Sequence, residues 1–224
     1  MAHQTPTRAI IFDLDGTLID SGPDIAIAAN KMLVDIGKPT LPVESIERFI
    51  GNGASMLITH VLEEVGAPAD KASVKTCTDL YLANYHQTPV ISTRFFKDVV
   101  DDLKQLHKAG FQLGVCTNKS HALTLNILEK LGIDQLFQVV VGADIVPQHK
   151  PDAGHLLAVV NALRLRVDEV VYVGDTEVDA QCAKNAGVPF FVVSWGGGAT
   201  VKADHATRIN HLRDVLKHIT VQTS

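Results

Sequence analysis

A chain of 224 residues suits one large domain, or a core domain with a smaller one set into it, and it needs no disulfide staples. A hydrophobic share of 46% against 20% charged residues excludes a disordered or collagen-like polymer. The formal net charge of -5 supplies no basic excess for a nucleic-acid backbone or an anionic membrane surface, so neither is expected as a partner.

The opening residues, MAHQTPTRAII, contain neither a long apolar stretch nor a small-residue cleavage site. Nowhere do about 18 apolar residues run together, so a cytoplasmic protein is expected. Arg8 to Phe12 is a short apolar run rich in β-branched residues, suited to a strand buried on both faces, and it stops at Asp13. From about Asp20 to Tyr85 the pattern is helical with no convincing strand. Ile25, Ala28, Ala29, Met32, Leu33 and Ile36 fall at helical spacing before Gly37, a shorter helix is expected around Ser45 to Ile50, and Met56 to Val65 and Val74 to Tyr85 read as two more. Cys77, Cys116 and Cys182 are odd in number and far apart, which fits reduced thiols.

Beyond Tyr85 strands and helices alternate. Val99 to Ala109, Ala122 to Leu131 and Val178 to Ala186 are amphipathic and each stops at a glycine. Between and after them, Phe111 to Cys116 ends in Thr117, Val139 to Val141 is followed by Lys150, Val170 to Val173 ends in Gly174-Asp175, and Phe190 to Ser194 ends in Trp195 and three glycines. That last segment reads as a flexible loop and not as a phosphate cradle. His211 and His218 fall on an expected final helix, solvated or packed. The alternation predicts an α/β fold: a Rossmann-like, doubly wound parallel sheet core over 1–18 and 91–224, with an all-helical cap domain inserted over 19–90. In such sheets ligands bind outside the carboxyl ends of the strands, where the polar residues above are delivered. A helical insertion directly after the first strand can fold over that site and exclude water.

The segment Phe12 to Asp20 reads FDLDGTLID and puts Asp13 and Asp15 two apart at a strand end, with both carboxylates on one side. Two like charges on one face repel, so a cation must neutralise them or one must hold its proton. Magnesium does the first and general acid catalysis needs the second, which suits phosphoryl transfer. A lone DxD is more often a turn, but DLDGT is expected by chance in only about one such chain in ten thousand.

On these residues the chain resembles the haloacid dehalogenase superfamily of phosphatases, within its helical-cap branch that includes phosphoglycolate phosphatases. The resemblance spans nearly the whole chain and rests also on Thr117 in VCTNK, Lys150-Pro151, the run Gly174 to Asp179, and Gly51-Asn52-Gly53. It implies that Asp13 attacks phosphorus to give an aspartyl-phosphate. Asp15 would protonate the leaving oxygen and later activate water. Thr117 and the Asn118 backbone N–H would hold phosphoryl oxygens, and Lys150 would neutralise charge beside Asp13. Mg2+ would be held by Asp13, the Asp15 backbone carbonyl and Asp175, with Asp179 behind them. Gly51-Asn52-Gly53 admits two readings, amides turned toward a substrate carboxylate or an ordinary turn between helices. His149 reads as a surface histidine. Two departures from the phosphoglycolate phosphatase pattern, Asp152 and Ser120 where proline is common, touch no catalytic atom.

The expected activity is hydrolysis of a small phosphorylated metabolite, 2-phosphoglycolate first. A pyrophosphatase, a sugar-phosphate phosphatase and a phosphosugar mutase share the chemistry. A phosphoacceptor signalling domain also uses strand-end Asp, Thr and Lys, but an inserted cap and the second carboxylate argue against a group that must expose and keep its acylphosphate.

Overall fold

The computed structural model describes residues 5–221; residues 1–4 and 222–224, within the expected core range, lie outside the described residues. Strand β1 (Ala9–Phe12) is followed by the two-residue β2 (Ile19–Asp20), by helices α1 (Gly22–Asp35), α2 (Val43–Glu47), α3 (Ala54–Glu64) and α4 (Lys71–Gln87), and by the two-residue β3 (Arg94–Phe95). Then come α5 (Val99–Lys108), β4 (Gln112–Thr117), α6 (His121–Lys130), β5 (Val139–Gly142), α7 (Ala153–Ala162), β6 (Val170–Gly174), α8 (Glu177–Ala186), β7 (Phe190–Val193) and β8 (Ala206–Ile209).

Six strands form one sheet in the order β5-β4-β1-β6-β7-β8, and every neighbouring pair is parallel. Successive side chains of a strand point to opposite faces, so β1 feeds two cores at once. Ile10 and Phe12 pack on the side that holds Leu103 of α5 and Ile127 of α6, whereas Ala9 and Ile11 pack on the side of Val159 of α7 and Ala183 of α8. This coverage of both faces explains why the strands are almost wholly apolar and end abruptly in polar residues. From β1 the chain builds outward through β4 and β5 on one side and through β6, β7 and β8 on the other. The strand order therefore reverses at β1, and its carboxyl end, flanked by those of β4 and β6, opens onto the crevice that such a reversal creates.

Helices α1 to α4 lie between β1 and the rest of the sheet in sequence, and α1 packs on α2 and α4 while α3 packs on α4. Their buried faces, including Ile25, Met32, Leu57, Val61 and Tyr85, join the apolar cluster on the α5 and α6 side. The chain leaves and returns through β2 and β3, which pair antiparallel with Ile19 opposite Phe95. Beside them the Asp24 carboxylate accepts backbone N–H groups from Ile91, Ser92 and Thr93 at 2.8 to 3.0 Å. Among the described residues no helix is long and apolar enough to cross a membrane. All three cysteines are buried and free.

Several elements depart from the expectation. β2 stands at the start of a stretch expected to hold no strand, and with two residues it is too short to leave an alternating pattern. α7 has apolar residues nearly all round (AGHLLAVVNA), so no 3.6-residue contrast marks it. β8 (ATRI) is a short edge strand carrying an arginine. The expected final helix is a 3-10 segment, Leu212–Lys217, and His211 stands before it 3.5 Å from Asp98, an acidic companion the sequence did not suggest. Gly196–Thr200, expected as a flexible loop, is also a 3-10 segment, pinned by the Trp195 indole N–H donating to the Thr17 carbonyl at 3.0 Å.

Candidate active site

Three strand ends deliver the expected residues to one place. β1 delivers Asp13, 5% exposed, β4 delivers Thr117, and β6 delivers Asp175, 3% exposed. Lys150, from the loop before α7, is drawn fully into this cluster. Its Nζ lies 2.8 Å from Asp13 Oδ1 and 2.7 Å from Asp179 Oδ1, and it donates to the Tyr172 hydroxyl at 3.0 Å. Burial alone would favour the neutral amine, yet the two carboxylates override it and hold the ammonium charged.

Asp179 is the most heavily engaged carboxylate here. Oδ1 accepts from Lys150 and Tyr172. Oδ2 accepts from the Thr176 hydroxyl at 2.6 Å and from two backbone N–H groups of the capping turn, Thr176 at 3.1 Å and Asp175 at 3.3 Å. Thr176 and Asp179 thereby cap α8 reciprocally. Burial opposes the ionised form, but Lys150 and these donors hold the Asp179 carboxyl below its ordinary range.

Asp13 and Asp175 behave oppositely. Burial, partly offset by Lys150 and reinforced by the charges of Asp179 and Asp15, pushes Asp13 up to about 7. Burial and the charges of Asp179 and Asp13 push Asp175 up to about 8, although Gly197 N–H and Thr17 Oγ1 each donate to it at 2.8 Å. One carboxylate oxygen from each of Asp13, Asp175 and Asp179 falls within 4.8 Å of the others. Asp179 has its lone pairs occupied, while Asp13 Oδ1 meets Lys150 only as a charge contact and has no aligned hydrogen-bond partner. Buried carboxylates with free lone pairs and raised proton affinity are a donor set for a hard cation, so the residues fit magnesium through Asp13 and Asp175. Gly16 makes the close approach possible: its φ is +88°, and a Cβ there would collide with Asp175 Oδ2.

Asp15 occupies the other side of the crevice. Its Oδ2 lies 2.9 Å from Lys119 Nζ, and its Oδ1 accepts from the Ser21 hydroxyl. Lys119 also lies 4.7 Å from the Tyr85 ring centre, which ties the end of β4 to α4. A pocket is lined by Asp13, Asp15, Thr117, Asn118, Lys119 and Ser120 from the core, and by Ile25, Ile50, Gly51, Gly53, Leu57 and Tyr81 from the helical insertion. Thr117 and Asn118 are buried in its wall, and Thr117 Oγ1 accepts from Lys119 N–H at 3.2 Å. The Asn118 side chain donates to the carbonyls of Gly51 at 3.0 Å and Lys150 at 3.1 Å, and its Oδ1 accepts from Lys150 N–H. It thus links insertion, β4 and the lysine loop.

Gly51 and Gly53 adopt φ +118° and +84°, and Gly53 rests against the Asn118 carbonyl, so this turn belongs to the pocket. Asn52 is exposed and outside the pocket lining. His149 is exposed, as expected. Lys119, Ser21, Tyr172, Thr17 and His155 were not singled out by the sequence. His155, whose Nδ1 accepts from Lys150 N–H, is kept neutral by burial and by Lys150, its pKa lowered to about 4.

A family model described as haloacid dehalogenase-like hydrolase matches residues 10–193. The chain is 37% identical over 215 residues to a phosphoglycolate phosphatase of Cereibacter sphaeroides, covering 94% of this chain and 98% of that protein. It is 36% identical over 197 residues to a phosphoglycolate phosphatase of Nitrosospira multiformis, covering 88% and 87%. Among solved structures, a predicted phosphoglycolate phosphatase from Haemophilus somnus superimposes with a TM-score of 0.86 at 27% identity, over 96% of this chain and 98% of that one. The chain belongs to the haloacid dehalogenase-like hydrolase family.

Proposed function

We propose that this hydrolase is a magnesium-dependent phosphatase that converts 2-phosphoglycolate to glycolate and phosphate through an aspartyl-phosphate on Asp13. The observation that carries the reading is the placement of two carboxylates, Asp13 and Asp15, in one pocket at the reversal point of the sheet, each facing its own lysine. Such a pair divides the labour of nucleophile and proton carrier. The likeness to phosphoglycolate phosphatases along nearly the whole chain supports the choice of substrate.

In the first half-reaction an Asp13 carboxylate oxygen bonds to phosphorus as the ester oxygen leaves, and Asp15 gives that oxygen its proton. In the second, Asp15 takes a proton from water, the water oxygen bonds to phosphorus, and the Asp13 carboxylate is released with phosphate. Thr117 Oγ1 and the Asn118 backbone N–H hold phosphoryl oxygens, and Lys150 offsets the charge gathered beside Asp13. Magnesium, held by Asp13, Asp175 and the Asp15 backbone carbonyl, supplies further positive charge to the phosphoryl group when bound. Asp179 keeps Lys150 in place. The segment 19–90 serves as a cap: its residues Ile25, Ile50, Leu57 and Tyr81 form an apolar roof that restricts water at the leaving group.

The test is phosphate release from 2-phosphoglycolate beside pyrophosphate, sugar phosphates and nucleotides, with and without magnesium, with Asp13→Asn as control. A lead for 2-phosphoglycolate of about a hundredfold in kcat/KM, roughly 2.7 kcal/mol of transition-state discrimination, is expected. A flat profile that still needs magnesium and Asp13 would keep the reaction and reject the substrate.

A further inference from the structure

Among the described residues that line the pocket the cation is Lys119, whereas Lys150 lies outside the lining, against Asp13 and Asp179. Lys119 Nζ contacts Asp15 at 2.9 Å and the Tyr85 hydroxyl at 3.4 Å, with its side chain only 5% exposed. An ammonium has three N–H donors, so these contacts leave one for a ligand. Next to it, Ser120 lines the same pocket, and its hydroxyl, buried just behind the pocket surface, has no hydrogen-bond partner. A buried donor without a partner is costly to keep, and a ligand that accepts from it removes that cost. The remaining wall is largely apolar, with Ile25, Ile50, Leu57, Tyr81, Leu82 and Leu123. An apolar leaving group would offer neither donor an acceptor, and a neutral hydroxyl would accept without balancing the ammonium charge. An anionic leaving group would be repelled by Asp15 unless a cation stood beside it.

We infer that Lys119 and Ser120 form the leaving-group subsite and select phosphate esters whose leaving group carries a carboxylate. The carboxylate accepts from the free Lys119 N–H and from the Ser120 hydroxyl, while the phosphoryl group lies at Asp13, Thr117 and Asn118. This rests on the phosphatase reading and deepens it, because it assigns the choice of an acidic substrate to two adjacent residues at the end of β4. It also gives the Lys119 contact with Tyr85 a function: α4 of the insertion supports the ammonium from the side opposite the core.

The experiment compares 2-phosphoglycolate with ethyl phosphate, in which a methyl group replaces the carboxylate. The selectivity ratio of the two kcat/KM values should fall at least tenfold in Lys119→Met and at least threefold in Ser120→Ala, while Lys119→Arg retains most of it. Equal losses on both esters, leaving the ratio unchanged, would overturn the assignment. Glycolate binding, followed by calorimetry without turnover, reads the subsite independently of the reaction. Its affinity should drop at least tenfold in Lys119→Met, and an unchanged affinity would also overturn the assignment. If the unaltered protein hydrolysed neither ester, the phosphatase reading would fail, while glycolate binding would still decide the role of Lys119 and Ser120.

Discussion

Lys150 Nζ lies 2.7 Å from Asp179 Oδ1, with the two side chains 2% and 0% exposed, and the same ammonium stands 2.8 Å from Asp13. One buried cation therefore balances two buried carboxylates, of which Asp179 has five donors and Asp13 has an oxygen without an aligned donor. The arrangement keeps one carboxylate structurally occupied and leaves the other available for chemistry.

Removing the cation should cost more than removing the structural carboxylate. Lys150→Met leaves Asp13 and Asp179 buried without a countercharge, and loss of a buried partner typically costs about 3–5 kcal/mol. Asp179→Asn leaves Lys150 paired with Asp13 and should cost less. Urea unfolding of the two variants checks the order. A loss under about 1 kcal/mol for Lys150→Met would contradict the view that the cluster depends on that charge.

Asp13 and Asp175 line the same cluster but should fail differently. Asp13→Asn removes the nucleophile, and turnover should drop by about 10^4 or more, the scale seen when a covalent catalyst loses its attacking group. Asp175→Asn keeps the nucleophile and should raise the magnesium concentration for half-maximal rate by at least about tenfold, with much of the rate restored at saturation. Rate measurements across a magnesium titration separate the two. Equal losses at saturating metal would refute the division of roles.

Most of this cluster was legible because its residues sit at strand ends, where an apolar run stops on a carboxylate, a threonine or a glycine. DLDGT, Thr117 and Gly174-Asp175 are local signals of that kind. Their supporters are not local. Tyr172 reads as one more core aromatic in VVYV, and its hydroxyl becomes meaningful only when Lys150 and Asp179 arrive from other elements. Thr17 reaches Asp175 across 158 positions, and Lys119 reaches Asp15 only because β4 lies beside β1. The helical insertion was visible as four amphipathic segments, whereas β2, β3 and α7 lacked the length or the contrast that makes an element readable.

The return from the insertion should be a weak point if Asp24 is changed. Its carboxylate collects N–H donors from Ile91, Ser92 and Thr93 and the Thr93 hydroxyl at 2.7 Å. Burial works against the charge, but these donors hold its carboxyl below the ordinary range. Asp24→Ala leaves several donors unsatisfied and should cost about 2–4 kcal/mol, since bonds to a charged group contribute roughly 1.5–3 kcal/mol each and part of the loss is recovered by water. Hydrogen exchange should accelerate at residues 91–93 before it does so in β1. Uniform acceleration through the sheet would show that the contact is not a local tie.

Stability should respond to pH in opposite ways with and without magnesium. In the unfolded chain Asp13 and Asp175 ionise near 3.8, while in the metal-free fold they hold their protons to about 7 and about 8. Between those limits the folded state binds more protons than the unfolded state, so stability falls as pH rises through the window. His155 acts in the other direction, because its pKa is lowered from 6.5 to about 4 and its contribution is lost as pH falls through that range. The clean interval is therefore pH 6.5 to 8, where the carboxyls alone are changing between the two states among these groups. There the melting temperature in a chelator should decline with rising pH. Bound magnesium replaces the protons as the countercharge, so with the metal in excess the decline should vanish or reverse, and calorimetry in buffers of different ionisation enthalpy should register protons released on binding. A melting temperature that rises from about pH 6.5 to about 8 in the chelator would show that Asp13 and Asp175 are already ionised in the metal-free fold, and that their burial is balanced by Lys150 without help from a metal.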